Sequence, residues 1–297
     1  MRLSLNGFIS VCERRGYFRW FPTKLYLKNK YRRCTKHKLN LVTPKTFSEK
    51  LQVLKIQYAT STKLPLYTRL TDKIEAKKVV ALMIGEQYII PTIGVWDRFD
   101  EIDFSTLPRK FVLKTNHDSG GVVLCKEGDT FDRNKAKKKL EKSLKRNFYW
   151  YGREPQYKNI TPKIFAEEFI GDENEILEYK LFCFDGNVKS ILVCSGIAHG
   201  KNRTNTFYDL DFNKLPINGG YPQNKENVRK PEQLETLIYL SEILSAELAQ
   251  VRVDWYIVCG KIYFGELTFF HNSGFKPLEP IEWEIRFGNW INLDSSE

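Results

Sequence analysis

The strands of this chain come in pairs, and the turns between partners are too short to carry a crossover helix. Tyr179 to Phe184 and Val188 to Val193 flank Asp185-Gly186. Val251 to Val258 and Ile262 to Phe269 flank Cys259-Gly260-Lys261, and Phe111 to Lys114 is followed across a Ser-Gly-Gly loop by Val122 to Cys125. These runs alternate and are rich in β-branched and aromatic residues, with turn formers between them, which is the pattern of β-hairpins. Parallel neighbours would need a connection of a dozen or more residues. A Rossmann-type parallel sheet is therefore a poor fit, and an α+β fold with mainly antiparallel sheets is expected.

Helical signals lie between the hairpins. Thr46-Phe-Ser-Glu49 opens a helix over Lys45 to Leu54, and Asp72 is placed to cap the next one. Asn134 to Phe148 reads as a basic amphipathic helix, Pro231 to Gln250 as another, and 195–230 as a long polar loop of the kind that is usually functional.

With 297 residues the chain can bury a large core. No apolar run approaches the length of a membrane span, and Leu3 to Cys12 is too polar for a secretory leader. Six cysteines without CxxC pairs or histidine spacing read as reduced thiols, so a cytoplasmic protein without structural zinc is expected. The charge is uneven: residues 1–50 carry 13 Lys/Arg against 2 Asp/Glu, while the remainder balances to zero. That basic stretch is interleaved with Phe18, Trp20, Phe21, Tyr26 and Tyr31, which suits phosphate backbones, anionic headgroups or an acidic polymer. No nucleic-acid-binding motif accompanies it, so nucleic acid is not expected as a partner.

Four segments carry chemistry. The last hairpin sets Asp254 beside Glu266, with Arg252 two residues before, and Thr268 follows. Two carboxylates and an arginine there fit either a hard cation carrying phosphates or an ordinary ion pair on a sheet. In Lys114-Thr-Asn-His117-Asp-Ser119-Gly120-Gly121 the glycines can form an anion nest, with Lys114 adding a point charge, or simply a tight turn. Glu167-Glu168-Phe169-Ile170 is acidic then apolar at a strand end, fitting a purine or a polar edge strand. Lys180 sits on a strand whose alternate residues look buried and so requires an anionic partner. His117 and His271 read as satisfied loop histidines.

Taken in order, Asp72-Lys73, Leu113-Lys114 with its Ser-Gly-Gly loop, Glu167 to Ile170, Arg252-Val-Asp254 and Glu266-Leu-Thr268 resemble the ATP-grasp superfamily. Asn40 to Leu51, Leu66-Tyr67, Thr71-Asp72-Lys73, Tyr179 to Gly186 and Phe264 to Phe269 narrow the resemblance to its TupA-like branch, found in teichuronopeptide and capsular polysaccharide gene clusters. The resemblance implies a basic helix-rich region over 1–72, N-terminal and small ATP-grasp subdomains with the phosphate loop over 73–170, and a large subdomain with a metal-binding hairpin over 171–297. It implies ATP and Mg²⁺ as cofactors. Lys73 and Lys114 would meet the phosphates and Ser119, Gly120 and Gly121 would cover them. Glu167, Glu168, Phe169 and Ile170 would form the adenine hinge, and Glu173, Glu175 or Glu178 would bind ribose. Asp254 and Glu266 would hold the metal. Where the superfamily usually has an asparagine ligand this chain has Thr268, so a hydroxyl, Asn272 or water takes that place.

The activity implied is an ATP-dependent carboxylate–amine ligase working through an acyl phosphate, with Arg252 and Lys180 as catalytic cations. The expected carboxylate belongs to a uronic acid of a polysaccharide or its lipid- or nucleotide-linked precursor, and the amine to an amino acid. Lys201 and Arg203 would meet the acceptor, and residues 1–50 an anionic membrane at its inner surface. Two other readings remain at this stage. Asp209-Leu-Asp211 is the one Asp-x-Asp match for a glycosyltransferase, and the basic N-terminus alone would suit a non-catalytic polymer- or lipid-binding protein.

Overall fold

The computed structural model describes residues 5–126, 131–171, 176–196, 203–225 and 228–294. The N-terminal part is helical: α1 (Leu5–Arg14), α2 (Thr23–Thr35), α3 (Phe47–Tyr58), α4 (Leu64–Thr71) and α5 (Lys73–Ile84). Helix α3 opens on a full capping box between Thr46 and Glu49. Helix α5 starts where the Asp72 carboxylate accepts from the Ile74 and Glu75 amides.

A four-stranded antiparallel sheet follows, in the order β1 (Thr92–Trp96), β4 (Ile164–Glu168), β2 (Phe111–Thr115), β3 (Val122–Cys125). Between β3 and β4 lie α6 (Arg133–Leu144) and the short α7 (Tyr149–Gly152). The period of two sorts this sheet's faces. Leu113, Ile164 and Ala166 pack with Leu140 of α6 in a small core. Lys114 pairs in register with Phe165 and Val112 with Glu167, which puts Lys114 and Glu167 together on the other face.

The larger sheet runs β7 (Thr204–Tyr208), β6 (Asn187–Ser195), β5 (Glu178–Phe184), β8 (Gln250–Val258), β9 (Lys261–Thr268). One face packs on α8 (Leu234–Ser245), where the Trp255 indole donates to Ser241 at 2.8 Å. The other face meets α3 and α9 (Ile281–Trp290) through the edge-to-face rings of Phe47, Phe182, Phe184 and Phe287. Leu51, Leu54, Tyr58, Tyr67 and Val80 of α3 to α5 share this core, so helices far upstream in sequence roof the large sheet. A bulge in β9 makes Gly265 the extra residue, where a Cβ would stand 3.0 Å from the Asp254 carbonyl.

The fold is α+β with antiparallel pairing between all of its named strands. Two expectations change. The segment 195–230 contains β7, which pairs with β6; Thr204 to Tyr208 is a short strand hidden among loop-forming neighbours. The basic helix stops at Leu144, and α8 spans only Leu234–Ser245.

Candidate active site

On the large sheet, strand register does the assembly. Lys180, Asp254 and Glu266 are directly opposite one another on β5, β8 and β9, and Phe182, Arg252 and Thr268 form the next row. Alternation puts both rows on one face. Asp254 is wholly enclosed. Its Oδ1 accepts from Arg252 Nε at 2.6 Å, and its Oδ2 from Arg252 Nη2 at 2.7 Å and Lys180 Nζ at 2.5 Å. Lys180 also reaches Glu178 at 2.7 Å. Burial is the largest influence and works against the Lys180 charge, but Asp254 together with Glu178 and Cys194 outweighs it, so its pKa lies above the ordinary lysine value. The same balance, burial against Asp254, holds Arg252 firmly protonated.

Glu266 differs from its neighbour. Its side chain keeps 42% of its surface open, stands 3.7 Å from Arg252, and accepts from the Thr268 hydroxyl at 3.1 Å on Oε1. Oε2 has no protein partner among the described residues. Burial raises its pKa, yet Lys73, Lys180 and Arg252 together hold it below the usual glutamate value, so it is an anion. The pair is thus not equivalent as a cation site: Glu266 can offer an oxygen as it stands, whereas both Asp254 oxygens are occupied by cations. Among the described residues no group of three or more acidic, histidine or cysteine ligands gathers. Magnesium fits such a place when phosphate oxygens and water complete its shell, because it commonly takes only one or two protein carboxylates.

The small sheet supplies the opposite balance. Glu167, 3% exposed, is gripped by Lys77 at 2.5 Å and by Lys114. Burial raises its pKa, but Lys114 and then Lys77 pull it below the ordinary glutamate value. The Glu167 side chain thus braces two lysines at the start of the segment expected as the adenine hinge. Glu168 is exposed and Phe169 and Ile170 are half-buried beyond the strand end. Lys77 went unread; its signal was the four-residue spacing from Lys73, which places both on one face of α5.

The Ser-Gly-Gly loop is anchored from within. Asp118, 2% exposed, accepts from Thr115 (2.6 Å), Ser143 (2.5 Å) and Arg146 (2.7 Å). Lys73 donates to the Asp118 carbonyl at 2.8 Å. Only Ser119 and Gly120 stand out to solvent, with Gly120 at φ +97°. A Cβ on Gly121 would fall 2.0 Å from Thr115 Oγ1, so the loop closes only over glycine. His117 is a buried loop residue whose Nε2 lies 3.2 Å and 3.1 Å from the Ser143 and Arg146 carbonyls.

His271 has a closer relation to the site. Its Nδ1 accepts from Arg252 at 2.7 Å, so the proton of the neutral ring sits on Nε2, where the Asn272 amide 3.0 Å away pairs with it by presenting its oxygen. Burial first, then Arg252 and Lys180, push its pKa well below the usual value, and it is neutral. Asn272 and Ser273 both adopt left-handed backbone (φ 49° and 55°), conformations that cost energy and here are held from below. Lys55 donates to the Ser273 carbonyl at 2.7 Å and Glu154 accepts from its hydroxyl at 2.5 Å.

Arg203 lies over the Tyr221 ring at 4.6 Å, with Lys276 over the same ring at 4.8 Å. Lys201, Glu173 and Glu175 lie outside the described residues, whereas Glu178 is engaged by Lys180 and Tyr256. The Asp209 carboxylate of Asp-x-Asp accepts from Asn213 within its own turn.

A family model described as TupA-like ATP-grasp matches residues 49–292. Among solved structures, the chain is similar to D-alanine–D-alanine ligase from Bacillus anthracis complexed with ATP: 16% identity over 74% of this chain and 65% of that one, TM-score 0.39. N5-carboxyaminoimidazole synthetase from Staphylococcus aureus is similar at 13% identity over 75% and 53%, TM-score 0.40. L-amino acid ligase from Bacillus licheniformis is similar at 14% over 69% and 44%, TM-score 0.40. The chain spans between 44% and 65% of the length of these three proteins. No curated protein is detectably similar. The family match extends over most of the chain, from the start of α3 to beyond α9, and the protein belongs to the TupA-like ATP-grasp family.

Proposed function

We propose that this protein is an ATP- and magnesium-dependent ligase that joins a carboxylate to an amine. The observation that carries the reading is the opposed charge of the two sheet faces. Lys77 and Lys114 around Glu167 leave a net positive charge, while Lys180 and Arg252 among Glu178, Asp254 and Glu266 leave a net negative one with Glu266 open. The first suits phosphates and the second the cation that accompanies them. Lys73 joins the two, holding the loop carbonyl while lowering the Glu266 pKa.

In the reaction proposed, an acceptor carboxylate oxygen attacks the terminal phosphorus and ADP leaves. An amine then attacks the carbonyl carbon and inorganic phosphate leaves. Lys73 and Lys114 hold phosphate oxygens, with Ser119 to Gly121 folded over them, and the Glu168 to Ile170 segment offers backbone groups to the base. Magnesium, when bound through Glu266 with Asp254 behind it, neutralises phosphate charge. Arg252 stabilises charge on the acyl oxygen; Asp254 and His271 fix its fork. Thr268 keeps a Glu266 oxygen oriented. Such chemistry relies on positioning and charge neutralisation more than on a protein base.

The acceptor we propose is a uronic acid of a capsular or cell-wall polysaccharide, or its lipid- or nucleotide-linked precursor, and the amine is an amino acid. Support comes from the family and from Arg203, which stands with Lys276 close enough to His271 for both charges to depress its pKa after burial and the nearer cations. The protein would act in the cytoplasm, with residues 1–50 touching an anionic membrane; exposed Phe8, Tyr17, Trp20 and Phe21 suit that contact.

The test is thermal stabilisation by a non-hydrolysable ATP analogue with Mg²⁺, in the parent and in Lys114→Ala and Glu266→Ala. A ligand at 100 times its Kd adds about 2.7 kcal/mol. The parent is expected to shift and both variants to lose the shift; ADP release would then screen uronates and amino acids. A parent that shows no shift at millimolar nucleotide refutes the ligase.

A further inference from the structure

The end of α1 and the outer face of α6 form a groove of about 620 Å³ whose walls are mostly cationic. Arg14, Arg15 and Arg19 line one side and Lys138, Lys142 and Lys145 the other; Glu141 is its one acidic lining residue. The helix explains its half: Ala136, Leu140 and Ser143 are buried, while Lys138, Lys142 and Lys145 recur at the same four-and-three spacing on the exposed side. Among the described residues Arg15, Arg19, Lys138, Lys142 and Lys145 have no carboxylate partner. Like charges converging in a concave wall repel one another and focus a field that attracts an anion.

Two further observations say what kind. The groove shares Arg14, Arg146 and Asn147 with a cavity of about 160 Å³ that reaches Ser119, the tip of the glycine loop. Tyr17 (64% exposed) and Trp20 (83% exposed) belong to the same turn as Arg15 and Arg19. Arg153 holds that turn by donating to the Phe18 carbonyl at 2.6 Å, and the aromatic ring that lines the groove itself is Trp150, packed against Gly16 of the turn. We infer that the groove is a docking track for an extended polyanionic glycan. The arginines and lysines bind successive carboxylates, the Trp150 ring receives a sugar ring, and the chain runs toward Ser119. A concave channel suits a chain better than a flat bilayer. The inference rests on the acceptor being an anionic glycan and adds a binding site outside the catalytic cleft.

Binding of fluorescent polygalacturonate to the full chain, without nucleotide, tests this. The parent should bind at low salt and weaken steeply as salt rises. Arg15→Glu/Lys142→Glu/Lys145→Glu should lose at least about tenfold in affinity, as expected for removing several charge-assisted contacts. The milder Lys142→Gln/Lys145→Gln, which changes only exposed side chains, should lose affinity while the ATP-analogue shift stays at the parent value. Parent-like polygalacturonate binding by the milder variant overturns the inference. So does loss of binding to phosphatidylglycerol vesicles with polygalacturonate binding retained, which assigns the groove to the membrane. A parent without nucleotide stabilisation sinks the ligase reading alone and leaves the groove measurement standing.

Discussion

The two charged clusters are built from the same residue types yet carry opposite balances. On the small sheet two lysines close on one glutamate, and Lys114 stays 22% exposed with charge to share. On the large sheet Lys180 and Arg252 are enclosed, Asp254 is their common counter-ion, and the surplus anion, Glu266, is the open group. The lesson is that a buried ion pair can serve as a base plate. The fully buried member sets the geometry, and the half-open one faces the ligand.

Substitution should break that comparison unevenly. The largest effect is expected from Asp254→Asn, which strands Arg252 and Lys180 without their shared anion. Breaking a buried pair in this way costs about 3–5 kcal/mol, and the urea midpoint would report it; a midpoint unchanged from the parent would mean the cluster is no base plate. Glu266→Gln should act on function instead. Turnover should fall by about 10²–10³ through lost charge stabilisation, while the urea midpoint barely moves because the side chain is 42% exposed.

Glu167→Gln leaves Lys77 buried without its carboxylate, but Lys114 can turn to solvent. The stability cost should be smaller, about 2–3 kcal/mol after allowing for screening, with nucleotide stabilisation weakened as Lys114 loses its brace. The smallest effect is in pH. The Glu167 pKa is depressed below its ordinary value of 4.5 in the folded state. Its contribution is complete above that value and is lost as pH falls through the lower folded one, since the unfolded chain then binds the proton first. Melting temperatures between pH 6 and pH 3 should fall less steeply for Glu167→Gln than for the parent. Parallel curves would show that Glu167 has no such role.

Much of this arrangement was legible before any coordinates. Short turns and alternating runs specify hairpins, and hairpins specify register. Once β8 and β9 are paired, Arg252 must share a face with Asp254 by alternation. Counting back from the turn would set Asp254 opposite Gly265, and it is the bulge at Gly265 that brings Glu266 opposite Asp254. Lys180 on an otherwise apolar strand required an anion, and Asp254 is that anion. Lys77, Asp118 and His271 were not legible, because their partners lie on other elements: Lys77 meets Glu167 from a helix, and His271 meets Arg252 from a turn. The anchoring of the glycine loop by Ser143 and Arg146 comes from α6 and its end, whose pattern pointed to a basic amphipathic helix but not to what its ends would hold.

The sequence by itself determined the antiparallel strand pairs, the shared face of Arg252 and Asp254, and the basic character of the first fifty residues. These follow from alternation, turn chemistry and composition, all of which act between neighbours along the chain. Only the tertiary structure decided which carboxylate is sealed and which is open, which lysines share Glu167, and that α1 and α6 turn their cations into one groove. Those outcomes depend on desolvation and on contacts across a hundred residues or more, and burial is a property of the packed molecule that no local pattern carries.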